Sequence, residues 1–248
     1  MKTLLTLLAF SALTLGASAK VTEKFSQTYP LAANGTISLD NVNGSVEIVA
    51  WDKAEVSLEA EKGARDEEAL ARIHLKIDAT ANKLRIKTER EKTWKFWDSA
   101  NAYVNYKLMV PAGVTLDKID VVNARVRLTG IKGFVNVDAV NGAIEAKNLS
   151  GASRFDTVNG SIEVSYAAMP AASDEISLDT VNGSCTLKLP AGAAFQLHAE
   201  TVNGGVSCDF PITLEKSGRH ELRGSVNHGG TDVKMSSVNG GLAVDKLN

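Results

Sequence analysis

The tripeptide Val-Asn-Gly, or a one-residue variant of it, returns seven times along the chain, with its valine at Val42, Val122, Val140, Val158, Val181, Val202 and Val238. Recurrence of this kind constrains the fold before any other reading. Self-similar units of about 20 to 50 residues bury their apolar faces by stacking on one another, not by folding separately. From Val122 onward the spacings are 18, 18, 23, 21 and 36 residues. The last is close to two short periods and holds a degenerate copy, GSVNHGG around Val226, which reads as an irregular coil.

Aligned on the repeated valine, three further columns are apolar. Three residues before it stand Leu39, Ile119, Val137, Phe155, Leu178, Ala199 and Met235; four after it come Val46, Val126, Ile144, Ile162, Cys185, Val206 and Leu242. Six after it are Ile48, Leu128, Ala146, Val164, Leu187, Cys208 and Val244, and the column between these two is polar in Glu47, Arg127, Glu145, Glu163, Thr186 and Ser207. Such alternation is that of strands with one buried face. In FDTVNGSIEV it places Phe155, Val158, Ile162 and Val164 inward, with Asp156 and Glu163 outward.

Asn-Gly between two such runs is a strong turn signal, because a tight reversal needs positive φ at both central residues. The expected corners are Asn43-Gly44, Asn141-Gly142, Asn159-Gly160, Asn182-Gly183, Asn203-Gly204 and Asn239-Gly240, with Asn123-Ala124 a distorted one that lacks its glycine. A second set of turn residues, LTGIKG and NLSGAS, falls half a period later. Two strands and two corners per 18 to 23 residues describe an all-β, single-domain β-solenoid, or β-helix, whose coils lie ~4.8 Å apart. The competing arrangement is an antiparallel β-sandwich of stacked hairpins.

Residues 20–248 are expected to form one domain, with an irregular capping part, 20–116, that holds one repeat and a short helix near 65–74, and regular coils over 117–248. In the helix Asp66 is the expected N-cap. A cap is expected because an open solenoid end exposes strand edges.

The stretches KFSQTYPLAANGTISLDNVNGSVEIVAWDKAEVSLEA and YKLMVPAGVTLDKIDVVNARVRLTGIKG, with the VNGSIEV copies, resemble the β-strand-repeat family of exported bacterial proteins labelled putative adhesins, a domain family of unknown function. The resemblance covers nearly the whole chain after residue 19. It implies a β-solenoid and an extracytoplasmic place, and transfers no catalytic residues.

Residues 1–19 read as a signal peptide, with Lys2, an apolar run from Leu4 to Leu15 and small residues at Ala17 and Ala19. That run is too short for a membrane span, so a periplasmic or secreted protein without a transmembrane segment is expected. With 27 Lys+Arg against 29 Asp+Glu, nothing attracts nucleic acid. Two cysteines are too few for a disulfide-built scaffold.

Four groups of residues carry candidate chemistry. Asp40, Asp120, Asp138, Asp156, Asp179 and Glu200 form an acidic column two before the valine. It suits calcium or glycan acid/base chemistry, but fits better as outward side chains bonding turn amides. The asparagines are expected to hydrogen-bond from rung to rung. Cys185 and Cys208 fall on consecutive copies, four and six after their valines. As diagonal neighbours about 7 to 8 Å apart they sit at the limit for a disulfide, and two buried thiols or a bridge both fit. Trp94, Phe96 and Trp97 in KTWKFWD suit sugar or peptide binding, or plug the solenoid end. His74, His198, His220 and His228 lack paired-ligand spacing, so no metal, cofactor or catalytic residue is expected. The expected protein is a non-enzymatic, adhesin-like binding or structural component of the cell envelope, with an envelope glycan or another exported protein as partner. The alternative is a glycan-active enzyme like the polysaccharide lyases built on β-helices.

Overall fold

The computed structural model describes residues 20–91 and 102–247. Its N-terminal part contains β1 (Val21–Pro30), β2 (Thr36–Trp51), β3 (Glu55–Ala64), a helix α1 (Glu67–Ala71), β4 (Ile73–Ala79), β5 (Lys83–Arg90) and β6 (Tyr103–Pro111). The helix is one turn long and starts where Asp66 Oδ1 accepts from the amide of Ala69 at 2.8 Å. That bond satisfies one of the free donors of a helix start. Antiparallel pairings of β1 with β3, β3 with β6 and β4 with β5 close this end of the molecule.

β2 is the first strand of the stack to carry the Val-Asn corner; on its outer side β5 and β6 pair with it in parallel and add a rung beyond it. β2 pairs in parallel with β7 (Thr115–Thr129) from Thr36 to Val49, matching Asp40 to Asp120, Asn43 to Asn123 and Val46 to Val126. Both strands continue through the Val-Asn corner, so the corner is a bend in a strand and not a hairpin. Two-stranded coils follow: β8 (Val135–Asn141) with β9 (Ile144–Leu149), β10 (Ser153–Asn159) with β11 (Ile162–Tyr166), and β12 (Glu175–Asn182) with β13 (Cys185–Leu189). Each pairs in parallel with its predecessor at the same repeat position, as Phe155 does with Val137 and Leu178. The solenoid is thus the architecture, and the parallel pairing excludes the antiparallel sandwich.

After β13 the stacking order departs from the chain order. β14 (Phe195–Asn203) and β15 (Val206–Cys208) do not pair with β12 and β13; β18 (Thr231–Asn239) and β19 (Leu242–Lys246) lie between them. The segment between is a hairpin, β16 (Ile212–Ser217) and β17 (Glu221–Val226), whose β17 runs antiparallel along the outer edge of β14. GSVNHGG is therefore not a coil. Asn227, His228 and Gly229 take left-handed φ values of 50°, 69° and 81°, and this turn sends the chain back into the gap. A β edge left bare at the last coil would invite pairing with other chains, and β17 covers the one on β14.

The interior is filled by the three apolar columns flanking the corner. Leu39, Ile119, Val137, Phe155, Leu178, Met235 and Ala199 are stacked and buried, as are Ile144, Ile162, Cys185 and Leu242 on the facing strands. Tyr166 is wholly buried, and its hydroxyl meets Ser153 Oγ at 2.5 Å, so the core keeps this polar group partnered.

Candidate functional site

Every copy of the repeat contributes to one face of the stack, the Val-Asn corner. On the strand leading into it, Asp156 points out, Thr157 in, and Val158 out again. The repeated valine is therefore not a core residue, contrary to the inward placement expected for Val158. All seven valines are between 38 % and 63 % exposed, Val158 at 41 %. The reason is period-two geometry: with Phe155 inside, the next inward position is Thr157, and the valine is forced to the surface. The result is a ridge of seven valines on seven successive rungs, about 29 Å long at ~4.8 Å per rung.

Beside the ridge runs an unbroken chain of side-chain amides. Nδ2 of Asn123 donates to Oδ1 of Asn43 at 2.9 Å, Asn141 to Asn123 at 2.9 Å, Asn159 to Asn141 at 2.8 Å and Asn182 to Asn159 at 2.8 Å. It then passes through Asn239 to Asn203, and at the other end Asn43 donates to the carbonyl of Ala102 at 3.1 Å. Behind it the inward hydroxyls of Thr180, Thr201 and Ser237 donate to the corner carbonyls of Gly160, Gly240 and Gly183 on neighbouring rungs, at 2.9 to 3.1 Å.

The corner glycines serve a purpose other than positive φ. Among them only Gly44 is left-handed, at φ 126°. A Cβ on Gly160 would instead collide with the carbonyl oxygen of Gly142, and Gly142, Gly183, Gly204 and Gly240 face the carbonyl of the next rung in the same way. Glycine is needed for close approach of one corner to the next. Asn123-Ala124 does not break the stack: β7 stays continuous there, Ala124 is buried, and the left-handed residue is Gly44, its register partner.

The acidic column is stacked in the order Asp40, Asp120, Asp138, Asp156, Asp179, Ser236, Glu200. Its partners are side chains of the same face, where turn amides were expected. Lys118 Nζ lies 2.9 Å from Asp120 and Arg154 Nε 2.8 Å from Asp156, while Ser177 and Ser236 hydroxyls donate to Asp179. Burial, and then the neighbouring Asp156 and Asp120, raise the Asp138 carboxyl above its usual range.

Cys185 and Cys208 are free. They are not diagonal neighbours on adjacent coils, because β19 separates β13 from β15, with Cys185 opposite Leu242 and Cys208 opposite Val244. Two strand spacings, about 9.6 Å, exceed the reach of a disulfide. Burial pushes the Cys185 thiol up to about 12, which leaves it protonated and unreactive. Trp94, Phe96 and Trp97 lie outside the described residues, as does the segment 1–19. Among the described residues no helix is long and apolar enough to cross a membrane.

The profile of the Toastrack DUF4097 family matches residues 113–245, which are the stack from the start of β7 to the end of β19. The chain belongs to the Toastrack DUF4097 family. Solved structures similar to this Toastrack chain include a putative cell adhesion protein from Clostridium sporogenes, 13 % identical, with a TM-score of 0.42 and 92 % of this chain and 100 % of that one covered. A putative adhesin from Bacteroides fragilis is 12 % identical, with a TM-score of 0.41 over 91 % and 97 % of the two chains. A putative lipid binding protein from Parabacteroides distasonis is 10 % identical, with a TM-score of 0.31 and the same coverages. The Toastrack chain has no match among curated proteins.

Proposed function

We propose that the chain is exported, with residues 1–19 removed as a signal peptide, and acts as a non-enzymatic, adhesin-like component of the cell envelope that docks its corner face on another exported protein. The observation that carries this reading is the valine ridge. Aliphatic side chains held outward on seven consecutive rungs are an exposed apolar stripe of the kind that marks interaction surfaces. The repeat's other residues are occupied in holding the stack: amides bond amides, hydroxyls bond carbonyls, and glycines admit the next coil.

The choice of a protein partner over a glycan follows from chemistry. Glycan recognition favours flat aromatic faces with polar groups fixing orientation, whereas this ridge is aliphatic. Alongside it the six carboxylates of the acidic column have Lys118 and Arg154 bonded to them. That net negative flank favours a partner with an apolar groove bordered by basic residues.

The test compares the exported protein with a Val140→Ser/Val158→Ser/Val181→Ser variant on envelope fractions, before and after protease treatment. Loss of binding in the variant, on protease treatment and at high salt is expected. Binding that survives protease, or turnover of uronic-acid polymers, would favour the glycan-directed reading instead. A mature N-terminus other than Lys20 would overturn the cleavage assignment.

A further inference from the structure

On the outer face of the last coil, Glu200 of the acidic column meets donors that the repeat does not explain. On β14, His198 and Glu200 are two residues apart and share a face. Across the antiparallel pairing with β17, Glu200 stands directly opposite Glu221 and His198 opposite Arg223. Two carboxylates in opposed positions repel each other, and such pairs weaken a sheet unless a cation lies between them.

One ligand atom each of His198, Glu200 and Glu221 falls within 4.8 Å of the other two. His198 Nε2 is shut off from solvent without a hydrogen-bond partner, and Glu221 Oε1 is likewise buried without an aligned donor. Nε2 lies 3.7 Å from Glu200 Oε2, too far for a hydrogen bond. A buried nitrogen with nothing to bind, facing two carboxylates, is an unfinished polar site.

We propose that His198, Glu200 and Glu221 form a zinc-class divalent metal site that fastens the β16–β17 hairpin to the last coil. One imidazole nitrogen and two carboxylate oxygens are a standard set for this ion, with bonds of about 2.0 to 2.2 Å and water completing a tetrahedron. That geometry puts ligand atoms about 3.3 Å apart, so atoms now within 4.8 Å of one another need to close by up to about 1.5 Å. All three are partly exposed and can move.

The cations around the site set what the metal must displace. Lys216 Nζ lies 2.5 Å from Glu221 Oε2, and Arg223 Nε 2.7 Å from Oε1 without hydrogen-bond alignment. Lys216 is 64 % exposed and free to swing into solvent. Lys234, the register partner of His198 on β18, has its charge paired with Glu175 at 2.5 Å.

The experiment titrates the metal-free protein with zinc chloride in a non-chelating buffer near pH 7.5, by calorimetry and by the unfolding midpoint. Wild type is expected to take one ion per chain, with a midpoint that rises with the logarithm of zinc concentration. His198→Ala and Glu200→Gln, the second serving if the first does not fold, are each expected to weaken binding at least tenfold and abolish the rise. Glu215→Gln, outside the trio, and Cys208→Ser, which removes the more exposed thiol, are expected to bind as wild type. Absence of saturable binding overturns the proposal. Equal binding in wild type and both trio variants, or loss of binding in Cys208→Ser, overturns the assignment to these residues.

Discussion

Asn239 donates its side-chain amide to Asn182 at 2.7 Å, although 57 residues separate them, and Asn203 in turn donates to Asn239 at 2.9 Å. The last coil in the sequence is thus the next-to-last in the stack. The amide ladder records the true order of the rungs, and the glycine contacts repeat it, since Gly240 abuts Gly183 and Gly204 abuts Gly240.

Replacing Gly160 with valine is expected to destabilise the fold by about 1 to 3 kcal/mol, because the new Cβ meets the Gly142 carbonyl and the backbone must shift. Gly160→Ala is expected to do much of the same damage, since the first carbon causes the clash. Urea denaturation of both variants checks this. A neutral alanine variant would mean that adjacent corners are not in contact.

Val158→Ser is expected to change stability by no more than about 0.5 kcal/mol, as an exposed position does. Phe155→Ala, three residues earlier and fully buried, is expected to cost about 3 to 5 kcal/mol. Thermal unfolding of this pair separates ridge from core, and a large loss at Val158 would return the valine to the interior.

Because Asp138 is raised in the folded state, its ionisation opposes folding. Its favourable contribution is fully present below the unfolded carboxyl value, about pH 4, and is lost as pH rises through the folded value. Asp138→Asn is therefore expected to have the higher unfolding midpoint at pH 7, with the difference closing at pH 3. A midpoint that falls at pH 7 would mean that the carboxylate is needed as an acceptor.

Two reactive thiols per chain are expected under denaturing conditions without reductant, and in the native state Cys208, half-buried, should be alkylated well before Cys185. Reductant should leave the unfolding midpoint unchanged. Mass spectrometry of the alkylated protein gives both readings.

Much of this structure is legible in the repeat. The columns at three before and four and six after the valine are inward in the sequence pattern and inward in the fold, because one apolar face per strand leaves a strand little choice. The amide ladder is legible too, since identical residues at equal spacing meet when coils stack in register. The valine misled because its apolarity argues for burial, while the alternation that includes Phe155 and Thr157 puts it outside. Asn-Gly misled similarly: it signals positive φ where the fold uses glycine for a close contact.

His198, Glu200 and Glu221 were hidden for another reason. His-x-Glu on one strand is visible in the sequence, but the third donor arrives from a hairpin whose register with β14 no local pattern specifies. Sequence alone determined the unit, its period and its buried face, because strand geometry and turn chemistry act within a few residues. Tertiary structure decided the order of the coils, the separation of Cys185 from Cys208, and which edge the β16–β17 hairpin covers, because those depend on pairing between strands that are far apart in the chain and chemically much alike.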